Sequence, residues 1–203
     1  MTAPATSAKT PPMPSFAHEQ DTRFGTIERP VAAPDFALRD DAGETRRLSD
    51  RRGKFTVVYF YPKDDTPDCV DEAREFGALY EDFSNADTEI WGVSAQGVES
   101  KHEFRTKYGL PFVLLPDTDR KVAALYGATL DSGDPLGLDG GRKPDVSGDP
   151  SAAAERSRRI SFLVDPDGMI VRYWPKVVAQ GHAQAVRLIL ETEKRKRSAA
   201  HAA

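Results

Sequence analysis

The sequence predicts an α/β domain built around a central sheet, and three observations support that class. Thr56 to Tyr61 is β-branched or aromatic almost without interruption, the mark of a strand buried on both faces. Thr88 to Ser94, TEIWGVS, repeats the mark, and each run leads into apolar residues at helical spacing. A third strand and helix follow, so the middle of the chain reads βαβαβα. Right-handed crossovers are expected to join its parallel strands.

Residues 1–28, rich in Ala, Pro, Ser and Thr, read as a disordered arm without an apolar run long enough for a signal peptide or membrane span. From Ala33 to Ser49 apolar and polar residues alternate about Asp40-Asp41-Ala42-Gly43, an N-terminal β-hairpin with a glycine-containing turn. Ser49 to Lys54 is a polar connector into the first buried strand. Pro62 ends that strand. The turn Lys63-Asp64-Asp65 then delivers Thr66, a good N-cap. Pro67 follows, favoured at the first helical position because its missing N–H would be unpaired there. Val70, Ala73, Phe76, Tyr80 and Phe83 recur at helical spacing, and Cys69, Ala73 and Phe76 share one face. The sulfur of Cys69 is therefore expected to point inward.

Beyond the second strand, whose polar end Ser94-Ala95-Gln96 reads as an ordinary strand edge, Val98, Phe104 and Tyr108 mark a helix. Pro111 to Leu115 reads as a short strand, and Asp117-Thr118-Asp119 caps a helix whose apolar face is Val122, Ala123 and Tyr126. Residues 129–155, rich in Asp, Gly and Pro, break the periodicity and read as a solvated, mobile inserted loop. Their aspartate spacing does not fit a calcium-binding loop. Arg159 to Asp165 is a strand, Pro166-Asp167-Gly168 its turn and Met169 to Trp174 its hairpin partner, with Arg156 and Arg158 read as surface residues ahead of it. The antiparallel pair makes the sheet mixed. Gly181 to Lys194 reads as a helix with Ala183, Val186, Ile189 and Leu190 inward. Residues 193–203 form a polar tail whose basic run Lys194-Arg195-Lys196-Arg197 suits a solvated helix end.

Composition narrows the function classes. With 203 residues, 39% of them hydrophobic, and a net charge of −4, the chain suits one globular domain over residues 29–192, and weak acidity argues against a nucleic-acid or membrane role. The four histidines fit no metal-binding spacing, and the single cysteine permits neither a thiolate zinc site, nor a C-x-x-C redox pair, nor an internal disulfide framework. No metal or cofactor is expected, and a reducing compartment, by default the cytoplasm, is.

The remaining chemistry centres on Cys69. First-turn N–H groups lack intrahelical partners and sit at the positive end of the helix dipole, which favours an anion, and thiolates at such positions are the reactive species. A lone cysteine is ordinarily a small buried hydrophobe. Here a helix N-terminus, a hydroxyl three residues upstream and a preceding buried strand coincide around the only cysteine in the chain, which favours the nucleophile reading.

The segment Tyr61-Pro62-Lys63-Asp64-Asp65-Thr66-Pro67-Asp68-Cys69, followed by Glu72-Ala73, resembles the active-site segment of peroxiredoxins, in particular the bacterioferritin-comigratory or Q-type subfamily with its P-x-x-x-T-x-x-C pattern. The stretch Gly92 to Ala128 and the motif Arg159-x-Ser161-Phe162-Leu163-Val164-Asp165 extend the resemblance, which spans about residues 29–192 around the insertion. It implies a thioredoxin-like fold, a mixed sheet flanked by helices, and a thiol-dependent peroxidase that serves antioxidant defence. Cys69 would be oxidised to a sulfenic acid by hydrogen peroxide or an organic hydroperoxide. It further implies that Thr66 hydrogen-bonds sulfur and peroxide, that Pro62 shields the site, that Arg159 stabilises thiolate and peroxide oxygens, and that Glu72 orients the arginine. The reductant would be thioredoxin, glutaredoxin or a low-molecular-weight thiol, and the protein a monomer or weak dimer.

Two departures stand out. Members with a helix-borne resolving cysteine carry it at the position of Arg74, so a monomer cannot close an internal disulfide. Asp68 replaces a usual glycine and sets a carboxylate beside the sulfur, where a neighbouring negative charge opposes thiolate formation. Both motivate an alternative, a peroxide sensor that forms mixed disulfides and turns over poorly.

Overall fold

The computed structural model describes residues 27, 29–147 and 157–201. The expected N-terminal arm, apart from Ile27, residues 148–155 of the insertion, and Arg156 lie outside them. A short strand not anticipated from sequence, β1 (Val31–Ala32), opens the domain, and β2 (Ala37–Arg39) and β3 (Thr45–Arg47) form the expected hairpin. Asp40 closes its turn, accepting the N–H groups of Ala42 and Glu44 and the Arg46 side chain at 2.8–2.9 Å.

β4 (Phe55–Phe60), β5 (Thr88–Ser94) and β6 (Val113–Pro116) are parallel neighbours, while β7 (Ile160–Val164) runs antiparallel to β4 and β8 (Met169–Trp174) antiparallel to β7. With β1 on the outside, the sheet order is β1-β8-β7-β4-β5-β6. Every residue of β4 is buried, as its composition predicts, because strand alternation sends its side chains into two cores. Val57, Tyr59 and Tyr61 meet α1 (Pro67–Ala78), α3 (Val98–Tyr108) and α5 (His182–His201) on one face. Val58 and Phe60 meet Trp91, Phe36 and α4 (Lys121–Leu125) on the other.

Three boundaries differ from the sequence reading. The long helical pattern breaks at Leu79, giving α1 and a separate α2 (Tyr80–Asn85). β6 starts later than Pro111. The terminal helix does not stop at Lys194: α5 continues through the basic run, because that run finds partners. Lys194 Nζ donates to the Ala86 carbonyl, Arg197 pairs with Asp167 at 2.7 Å, and Glu193 pairs with Arg172 at 2.7 Å.

The described part of the insertion is largely exposed, as expected of a loop, but it is tied down at particular points. Asp134 accepts the N–H groups of Leu138, Asp139 and Gly141, each at 2.9 Å, and Leu136 and Leu138 pack on the second core. Arg158, expected at the surface, is instead partly buried. It donates to the carbonyls of Gly127 and Pro175 at 3.0 Å and to Asp139 of the insertion, which ties the insertion to the chain just ahead of β7.

Gly92 in β5 has no room for a side chain, since an added Cβ would lie 2.6 Å from Tyr59 Oη and 2.8 Å from Leu114 Cδ2. Tyr59 is itself fixed by stacking on Tyr61 and on Phe76 of α1. Gly92→Ala is expected to destabilise the domain by about 1–3 kcal/mol, the usual cost of overpacking, measured as a lower urea midpoint at unchanged slope.

Candidate active site

The local sequence around Cys69 folds as its grammar dictates. β4 ends ahead of Pro62. Asp65 takes a left-handed φ of 58°, and Thr66 occupies the N-cap with extended backbone ahead of Pro67. The first helical bond runs from Val70 N–H to the Thr66 carbonyl at 2.9 Å, which leaves the N–H groups of Asp68 and Cys69 ahead of the ladder. Cys69 is 2% exposed and belongs to the core cluster with Ala73 and Phe76, so the inward face expected for the sulfur is the one observed.

Arg159 crosses from just ahead of β7 to meet it. Its Nη2 donates to Cys69 Sγ at 3.1 Å, and its Nη1 donates to Glu72 Oε2 one helical turn further on. One planar guanidinium thus grips two residues of α1, as its fork of donors permits. Glu72 is completely buried, and its Oε1 makes no hydrogen bond. Burial pushes the Glu72 carboxyl up to about 7 against the opposing pull of Arg159. Arg159 retains an edge to solvent. Burial works against its charge, but Glu72 and Cys69 outweigh this and hold the guanidinium above its ordinary value.

The shift on Glu72 has a consequence for stability. Between the ordinary carboxylate value of 4.5 and about 7 the unfolded chain has lost the Glu72 proton while the folded one keeps it. This contribution to stability is present below the lower value and is lost as pH rises through the upper one. Relative to wild type, Glu72→Gln should flatten that window by roughly 3 kcal/mol, read from urea unfolding at pH 5 and pH 8.

Beneath this pair lies His182, whose Nε2 is 2.8 Å from Ser161 Oγ and whose ring meets Phe76 and Trp174 edge-on. Burial, with the Arg159 charge adding to it, lowers His182 to about 3, so it stays neutral.

Not every expected contact is present. The Thr66 hydroxyl donates to the Lys63 carbonyl at 3.1 Å rather than to the sulfur, which leaves its oxygen lone pairs as an acceptor near the helix start. Pro62 is half-buried at the end of β4, and Asp68 is exposed. Arg74 is exposed too, its guanidinium 5.4 Å from the centre of the Tyr108 ring.

The sequence reading missed a second buried polar group. Asp64, in the turn ahead of Thr66, accepts hydrogen bonds from Tyr61 Oη at 2.7 Å, Ser100 Oγ at 2.6 Å and Lys101 Nζ at 2.8 and 3.0 Å. Lys101 is 0% exposed and also donates to Ser94 Oγ. A signal was available: Lys101 sits three residues ahead of Phe104, the buried aromatic residue of α3, and so shares its core-facing side, whereas Val98, read from the sequence as part of that face, is exposed. Burial lowers the lysine, and Asp64 partly restores it.

Among the described residues no group of three or more His, Cys, Asp or Glu side chains could hold a metal, and no helix is long and apolar enough to cross a membrane. A groove of about 330 Å³ lined by Lys54, Thr88, Val113 and neighbours lies at the N-terminal ends of the parallel strands, opposite Cys69.

Comparison with known proteins places these features in context. The family model described as AhpC/TSA family matches residues 31–173. The chain is similar to peroxiredoxin Bcp of Bacillus subtilis, 36% identical over 171 residues that cover 84% of this chain and 99% of the relative. Among solved structures, the bacterioferritin comigratory protein of Xanthomonas campestris, studied for alkyl peroxide reduction, aligns at 30% identity and TM-score 0.65, covering 78% of this chain and 91% of that one. The peroxidoxin BcpB of Mycobacterium tuberculosis aligns at 26% identity and TM-score 0.64, covering 80% and 96%.

Proposed function

The chain belongs to the AhpC/TSA family, among its Bcp and Q-type peroxiredoxins, and on that premise we propose that Cys69 is the peroxide-reducing nucleophile of a one-cysteine thiol peroxidase. The fold is the thioredoxin-like fold of those enzymes, and the activity is thiol-dependent reduction of peroxides. The observation that bears most on the assignment of Cys69 is the Arg159 N–H directed at its sulfur at 3.1 Å.

In this reading the Cys69 thiolate attacks one oxygen of the peroxide. An S–O bond forms as the O–O bond breaks, sulfur loses two electrons, and the leaving oxygen takes up a proton as water or an alcohol. Charge develops on that leaving oxygen. Arg159 and the free N–H groups at the start of α1 are donors fixed in advance of the reaction, an arrangement that stabilises developing charge without reorganisation. Thr66, its own proton directed at Lys63, is left to accept the peroxide O–H, while Pro62 walls the site and Glu72 holds the guanidinium in place.

The sulfenic acid is then reduced from outside. An external thiol forms an S–S bond to Cys69 with loss of water, and a second thiol releases the Cys69 thiolate and leaves as a disulfide. Thioredoxin, glutaredoxin or a low-molecular-weight thiol fits this role, since the resolving position on α1 is Arg74. A monomer or weak dimer working in the cytoplasm completes the proposal.

Rapid-quench trapping with a dimedone-type reagent tests it. After a slight excess of hydrogen peroxide, labelling should form fast and only at Cys69. Labelling no faster than that of a free thiol would overturn the assignment.

A further inference from the structure

We propose that Asp64 and Lys101 are a positioning pair, a buried anchor that fixes the turn from which Cys69 is presented to the peroxide; this rests on the role of Cys69 proposed above. Three observations lead to it. Asp64 sits only five residues ahead of Cys69, in the turn between β4 and α1, and its carboxylate is bonded to residues from three elements. Tyr61 comes from the end of β4, Ser94 from the end of β5, and Ser100 and Lys101 from α3. The Asp64 backbone N–H is also committed, donating to Gln96 Oε1 at 3.2 Å.

The second observation is the cost of this arrangement. A fully buried lysine is retained only where its charge is compensated, and here all of its hydrogen-bonding is directed at Asp64 and Ser94, with its Nζ 5.1 Å from the centre of the Tyr61 ring. Replacing the pair by apolar groups would satisfy the core more cheaply. A polar group kept in such a place specifies one geometry, because each bond is directional and any other position of the turn strands a charge.

The third is what lies on either side. Asp65, next in the chain, is held with a left-handed φ of 58°, and its carboxylate pairs with Lys107 at 2.6 Å and with Tyr108, both of α3. Thr66 and Pro67 follow immediately. The α3 helix thus grips the turn at two successive residues, one buried and one exposed. On the far side Arg159 grips α1 through Cys69 and Glu72. The sulfur sits between two clamps, and only the second touches it.

Alignment of sulfur, both peroxide oxygens and the donors is required for peroxide attack, whereas alkylation by iodoacetamide asks only for a reactive sulfur. Lys101→Met in the full chain should slow Cys69 oxidation by hydrogen peroxide about 10- to 100-fold, the scale on which ångström displacements act, and leave iodoacetamide alkylation at pH 9 within about twofold. Ser100→Ala, which removes a single bond to Asp64, should give a smaller loss of the same kind and guards against misfolding of the lysine variant. The uncharged double variant Asp64→Asn/Lys101→Met should regain thermal stability and remain slow with peroxide. Recovery of the peroxide rate together with stability would overturn the proposal, as would equal losses in oxidation and alkylation, which would indicate a change in the sulfur's charge. A wild-type protein slow with peroxide would instead sink the role of Cys69 itself, so the two failures are distinguishable.

Discussion

Cys69→Ser is expected to abolish peroxide turnover, by at least about 10⁴-fold, and to leave the fold in place. The substitution exchanges sulfur for oxygen at a site that is 2% exposed, so packing against Ala73 and Phe76 is nearly kept. Arg159 can still donate to the new oxygen. What is lost is the chemistry. A serine hydroxyl has no base poised against it here: His182 is directed at Ser161, and Glu72 is engaged by Arg159. It therefore stays protonated and unreactive. The chain contains one cysteine, so no second thiol can take over. Peroxide consumption measured with a thiol reductant present, alongside circular dichroism of the variant, decides the matter. Turnover surviving in a folded variant would move the reaction away from residue 69.

Arg159→Met is the second large effect, and it acts on rate and stability together. Removing the donor at the sulfur should cost about 10²- to 10³-fold in the rate of Cys69 oxidation, as loss of a preorganised charge-stabilising group does elsewhere. Removing the partner of Glu72 leaves a carboxyl with neither oxygen satisfied inside the core, for which about 3–5 kcal/mol is the usual cost of breaking a buried pair. The raised Glu72 value softens that penalty below neutral pH, where the group can hold its proton. The variant should accordingly be less impaired in stability at pH 5 than at pH 8. Arg159→Lys separates charge from geometry. It restores a cation, but an ammonium on a flexible stem cannot direct two coplanar N–H groups at Cys69 and Glu72. A partial recovery of stability with most of the rate still missing is the expected outcome, measured by stopped-flow oxidation and urea unfolding on the same preparations.

How far these features were legible in the chain follows from the range over which each is specified. The buried strands β4 and β5, the N-terminal hairpin, the β7–β8 pair and the inward sulfur of Cys69 were readable because alternation, helical spacing and the Thr66-Pro67 start are properties of neighbouring residues. The break at Leu79 was missed since apolar spacing continues across it, and so do the backbone hydrogen bonds, while only its dihedrals, φ −100° and ψ 7°, depart from the helix. The extension of α5 was missed for the opposite reason. A basic run looks like a solvated end until Asp165, Asp167 and Glu193 are found beside it. Arg158 was assigned to the surface by its place ahead of a strand, and only the tertiary fold brings the Gly127 and Pro175 carbonyls and Asp139 of the insertion to it.

The site divides in the same way. By itself the sequence determined the nucleophile, its helix, the strand that feeds it and, through resemblance to a family, the arginine that would face it. Tertiary structure alone decided that Arg159 reaches Cys69 and Glu72 at once across some ninety positions of chain, that the Thr66 hydroxyl turns to Lys63, and that Asp64 and Lys101 meet in the core. The physical reason is that propensity and periodicity act within a turn or two, whereas the strength of a charge pair is set by distance and burial, which exist only once strand register and helix packing have brought distant residues together.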